Sequence, residues 1–174
     1  MVESNVVPVA SVVVRRSAYE AVGPAFDERF PRMYDYEMWF RLAARFPVGH
    51  IPSWDAEWRK HGDQSTYKGR LRGLEQLLFL EHAQEIVRHE LPHFEIPERR
   101  WRMIRSRWSI SAALDALERS EDRRAFEFFG QAIREHPIHI ADPRIAVGLL
   151  ALLSGRPGRR LLGALRLGAR RRGL

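Results

Sequence analysis

The sequence predicts an α/β segment followed by an α-helical extension, on three observations. Residues 8–16 are rich in valine and end in the Arg15-Arg16 pair, the pattern of a buried strand. "VGHIP" (48–52) and "AEWRKHG" (56–62) supply two further short strand candidates. From Tyr67 onward apolar residues recur at helical spacing, over 68–91, 98–118, 122–135 and 143–153. These changes divide the chain into 1–66, a helical part at 67–154, and a basic tail at 155–174.

The remaining elements follow in order. Ser17 reads as the N-cap of a short helix over 17–23, with Glu20 completing a capping box and Gly23 as the stop. Residues 35–46 predict an amphipathic helix with Met38, Trp39, Leu42 and Phe46 on its apolar face and Arg41 and Arg45 outside, ended by Pro47. Residues 110–137 form one helix–turn–helix pattern that resembles a single tetratricopeptide unit, terminated at Pro137. One such unit reads as ordinary helical packing, because a stacked array needs about three.

Composition narrows the function classes. A chain of 174 residues with 45% hydrophobic and 29% charged residues has the balance of a folded protein, not of a disordered one. The absence of cysteine excludes disulfides and thiolate metal sites and points to a reducing compartment. The first sixteen residues lack the basic region that opens a signal peptide. The longest apolar run, 145–153, is far short of the roughly 20 residues of a membrane-spanning helix. The formal charge of +7 lies wholly in 155–174, which carries seven arginines and no acid; the rest holds 22 basic and 22 acidic residues. The tail has no Phe, Tyr or Trp for base stacking, so specific nucleic-acid binding is not expected.

Two motifs invite catalytic readings. "HELPH" (89–93) matches the zinc-protease pattern H-E-x-x-H, but Pro92 breaks the helix that would align His89 with His93. "MYDYEMWFRLA" (33–43) places Asp35 at a helix start, where free N–H groups favour an anion. From these residues alone Asp35 is either a helix cap or a working carboxylate.

The succession around Asp35 carries a resemblance. Arg15-Arg16, Val22-Gly23, Phe26-Asp27-Glu28, Asp35, Trp39-Phe40-Arg41-Leu42-Ala43 and Trp58-Arg59-Lys60-His61 stand in one order over residues 5–66. This resembles the C-terminal half of the catalytic domain of family 2 glycosyltransferases, inverting enzymes of the type-A fold. The resemblance implies a partial type-A domain that transfers a sugar from a nucleotide-sugar donor to a glycan or lipid-linked acceptor. Asp35 would be the general base that takes the acceptor hydroxyl proton, help worth about 10²–10⁴-fold. It also implies acceptor contacts from Tyr34, Tyr36, Glu37 and Trp39, and donor-diphosphate or metal contacts from Arg59 and His61. A divalent cation, Mg or Mn, is expected for the intact enzyme, although the Asp-x-Asp segment that holds it has no counterpart here. Tyr34 stands where the family carries a second acid. The chain is therefore expected to be a C-terminal piece of a longer enzyme, inactive alone.

The alternative reading is a helical interaction module whose basic tail binds acidic partners or a membrane surface. In "RRLLGALRLGARRRGL" (159–174), helical spacing gathers Leu161, Leu162, Leu165 and Ala169 on one side, with arginines flanking. Either reading places the chain in the cytoplasm, peripheral at the inner face of a membrane.

Overall fold

A computed structural model describes Glu3, Asn5 and residues 7–24, 26–53, 56–57 and 72–155. Among these residues every regular element is a helix and there is no strand. The helices are α1 (Arg16–Ala21), α2 (Tyr34–Arg45), α3 (Arg72–Glu90), α4 (Glu98–Glu118), α5 (Asp122–Glu135) and α6 (Pro143–Ser154), with 3-10 turns at Val9–Ser11 and Pro137–Ala141.

The expected α/β class is thus corrected, and with it the type-A glycosyltransferase half. Residues 8–16 begin with a 3-10 turn and continue as extended chain, with Val12 at φ −107° and ψ 130°. Val12 and Val14 are half-buried while Val13 is 97% exposed, so the segment has strand-like alternation, with no strand beside it among the described residues. A strand is completed only by a neighbour's backbone, and local valine content cannot supply one. Residues 48–52 are exposed, non-repetitive chain, and most of the 56–62 candidate lies outside the described residues.

Two compact units arise. One comprises Met1–Thr66 with Leu78–Glu95, the other Tyr67–Leu77 with Ile96–Leu174, so α3 lends its first turns to the second unit and its remainder to the first. The first unit is built on rings. Phe30 and Phe79 are fully buried, Tyr36 stacks on Phe79 at 4.5 Å, and Phe30 and Phe40 meet Phe79 edge-on at 6.0 and 5.6 Å. A smaller cluster joins Val22 to Met38 and Leu42 of α2, with Trp39 and Phe46 against it.

Helix α1 starts one residue before Ser17, and no side chain caps it; the Arg16–Glu20 ion pair at 2.7 Å spans its single turn instead. Gly23 adopts φ +90° just beyond, the conformation glycine accepts most readily. Helix α2 ends at Arg45, with Phe46 extended ahead of Pro47.

The second unit closes on small residues. Ala113 and Ala116 of α4, Ala125 and Ala132 of α5, and Ala151 of α6 share one core with Ile110, Leu114, Leu117, Phe129 and Ile145. From Ser109 to Leu117 only Ser111 escapes burial, so the helix is enclosed on every side there, Asp115 included. At Gly73 an added Cβ would meet the Ala112 backbone at 2.2 Å, and the Gly73 amide donates to Asp115 Oδ2 at 2.8 Å. At Gly148 an added Cβ would meet the Phe129 ring at 2.2 Å. The α4–α5 turn passes through Ser120 at φ +64°, and the Arg119 and Ser120 amides donate to the last carbonyls of α4.

Candidate functional sites

In the first unit, helical spacing places Arg41 one turn after Glu37, and the pair is bidentate: Arg41 Nε donates to Glu37 Oε1 at 2.6 Å and Nη2 to Oε2 at 2.8 Å. Arg41 also donates to the carbonyls of Val22 (2.7 Å) and Pro24 (3.0 Å), tying α2 to the end of α1. This reverses the expectation that Arg41 lies outside; its side chain is only 12% exposed. Opposite, His82 of α3 places Nε2 2.9 Å from Glu37 Oε1. Glu37 is fully buried. Burial pushes its carboxyl up, but hydrogen bonds from His82 and Arg41 outweigh it and hold the group below the usual carboxylate range.

Asp27 completes the cluster from the preceding loop. Its two oxygens accept from Arg29 Nε (3.0 Å) and Nη2 (2.6 Å), and these bonds hold its carboxyl below its ordinary value. Asp27, Glu37 and His82 each direct one ligand atom inward, all within 4.8 Å of one another.

The residues expected to meet an acceptor are spread over different environments. Tyr34 is exposed and meets Phe26 edge-on at 5.1 Å. Asp35 is half-buried; its Oδ1 accepts the Tyr36 amide at 2.7 Å and its Oδ2 lies 3.4 Å from the Asn5 amide nitrogen. It lies inside the first turn and does not cap the helix, whose N-cap is Met33 with no side-chain bond. Tyr36 and Glu37 are interior, and burial raises the Tyr36 hydroxyl above its ordinary range. Trp39 packs half-buried on the Val22 cluster, with its indole nitrogen buried and without a partner. Arg59 and His61 lie outside the described residues.

"HELPH" divides as Pro92 requires. Helix α3 ends at Glu90, His89 and His93 are both exposed, and Glu90 pairs with Arg45 through two hydrogen bonds, one of 2.8 Å.

The second unit carries a different feature, at α6. Asp142 caps the helix by accepting the Arg144 amide at 2.8 Å, with Pro143 in the first helical position. Ile145, Gly148 and Ala151 face the core, and Val147, Leu149 and Leu152 flank them. Ala146, Leu150 and Leu153, at spacings of four and three, are nevertheless exposed, Leu150 by 61% and Leu153 by 86%. Beyond Arg144 the helix has no charge on any face. Ile138 and Ile140 in the preceding 3-10 turn are also exposed, by 70% and 65%. The arginine-rich segment follows directly at Arg156. No described helix is long and apolar enough to cross a membrane.

Nearby, Ser106 Oγ lies 2.6 Å from both the Ala132 carbonyl and His139 Nδ1. Ser106 is fully buried, so it braces α4 against α5 through Ala132 and against the 3-10 turn through His139, and cannot present a nucleophile. No protein family, curated protein or solved structure matches the chain.

Proposed function

We propose that the chain is a helical interaction module that docks on anionic membrane surfaces through the outer stripe of α6 and the arginines of 155–174. The observation that carries this reading is that α6 is apolar on both faces and ends where the arginines begin. A surface helix normally turns a polar face to water, whereas one with leucine outside suits a non-aqueous neighbour. Burying the side chains of Leu150 and Leu153 is worth about 1.5–3 kcal/mol each. Each arginine near an anionic surface adds about 1 kcal/mol at moderate ionic strength. The absence of cysteine favours the reducing side of the membrane, and the cytoplasmic leaflet is the anionic one.

Co-sedimentation with phosphatidylglycerol-containing vesicles tests the reading. Binding at low salt is expected to weaken as salt rises, to be poor on neutral vesicles, and to fall at least tenfold in Leu150→Asp. An intact chain that stays in the supernatant with anionic vesicles at low salt would overturn it.

Asp35 supports a second reading, base catalysis of transfer to an acceptor hydroxyl. Its favouring observation is a half-buried carboxylate oriented by the Tyr36 amide beside the exposed ring of Tyr34. This reading stands on that geometry and not on a type-A sheet.

A further inference from the structure

We propose that Asp27, Glu37 and His82 form a binding site for a first-row divalent cation of the zinc or cobalt class, opened when Arg29 releases Asp27. Three different segments converge there: the loop before α2, the first turn of α2 and the middle of α3. One imidazole and two carboxylates are a borderline donor set, matched to ions that accept both nitrogen and oxygen.

The distances are close to those required. Ligands about 2.0–2.2 Å from a tetrahedral ion lie roughly 3.4 Å apart. The present ligand atoms already fall within 4.8 Å of one another, so closing the site requires side-chain adjustment alone.

The charges determine which cation yields. Arg41 is held by Glu37 and by two backbone carbonyls, and its side chain is 12% exposed, so it stays. Among the described residues Arg29 is bound to Asp27 and to the face of Phe30, and its side chain is 56% exposed. It can turn into water at the cost of those contacts. Glu37 would keep both oxygens on Arg41 and offer the side of Oε1 that now faces His82, where the ion replaces the His82 N–H. The Nε2 proton moves to Nδ1 or to solvent, leaving Nε2 as the donor atom. The fully buried Glu37 and the rings of Phe30 and Phe79 limit water around the ion.

Titration of the whole chain with Zn²⁺ by calorimetry, and with Co²⁺ by visible absorption, tests the site. One ion per chain is expected, with the intense absorption of low-coordinate cobalt. Arg29→Gln is expected to tighten binding at least tenfold, because it frees Asp27 and removes a competing cation. His82→Gln is expected to abolish binding, and Asp27→Asn, in a partly exposed loop, provides the same test without altering a helix. Failure of both wild type and Arg29→Gln to bind would show that the ion pairs only brace the fold. Binding that survives both His82→Gln and Asp27→Asn would place the ion elsewhere and equally overturn the site.

Discussion

The two units fill their interiors by opposite means. The first buries a charge: Glu37, fully inaccessible, is held by Arg41 and His82 amid a ring of aromatic side chains. The second also buries two acids, Glu75 and Asp115, the latter under the Gly73 amide, but where α4, α5 and α6 cross it relies on alanine and glycine, which let the helices approach closely. A buried ion pair depends on partners and protonation, and a close helix crossing on volume. Each therefore has its own vulnerability, and each vulnerability is measurable.

The largest expected effect is Glu37→Ala. It leaves Arg41 and His82 facing each other without their anion, and breaking a buried pair in this way costs about 3–5 kcal/mol. Thermal unfolding should show a fall of that order. A loss below about 1 kcal/mol would mean that the buried carboxylate is not what holds the first unit together. The volume counterpart is Gly148→Ala, whose methyl would strike Phe129, or Gly73→Ala, whose methyl would strike the Ala112 backbone. Overpacking of this kind costs about 1–3 kcal/mol, with Gly73→Ala at the upper end because backbone yields less than a ring. Unchanged stability in both would show that the seam is looser than its geometry implies.

Acid separates the units further. Burial, then the nearby His136, lowers the His139 pKa from its ordinary 6.5, so the unfolded chain takes up the proton first. The second unit should lose stability as pH falls below 6.5 toward the lower folded value. Glu37 and Asp27 are lowered from 4.5 and 3.8, so their contribution is complete above 4.5 and is lost as pH falls through their folded values. Asp142, lowered from 3.8 by Arg144, adds a later loss in the second unit. Helicity and tryptophan emission followed together against pH should show the second unit weakening before the first. A single transition below pH 4.5 would contradict this order.

The smallest expected effect on stability is Asp35→Asn, within about 0.5 kcal/mol, because Asn keeps an oxygen for the Tyr36 amide. The same variant tests the second reading. Under that reading, any hydroxyl-transfer activity of the protein should fall by about 10²-fold or more.

What could be read from sequence depended on how locally it was encoded. Residues 98–118 and 122–135 carry their own helical spacing and are bounded by Pro97, Glu121 and Pro137, and α4 and α5 occupy those ranges. The end of α3 was legible from Pro92 for the same reason. Residues 8–16 have the composition of a strand, but a strand needs a second backbone. The Asp27–Glu37–His82 convergence was not legible, since His82 is 45 residues beyond Glu37. Its one local signal, the Glu37–Arg41 spacing, was hidden because the amphipathic pattern sent Arg41 to the outside. The outer stripe of α6 was also obscured: nine apolar residues in a row give no indication of which face meets the core.

The claim that α6 faces a membrane is tested most directly at Leu153. The chain contains no cysteine, so Leu153→Cys creates a single site for an environment-sensitive fluorophore. Glu20→Cys on α1 provides the matching water-exposed control. On anionic vesicles the account predicts a blue shift and protection from aqueous quencher at position 153, with neither at position 20. Emission at position 153 that stays water-like when anionic vesicles are added would contradict it.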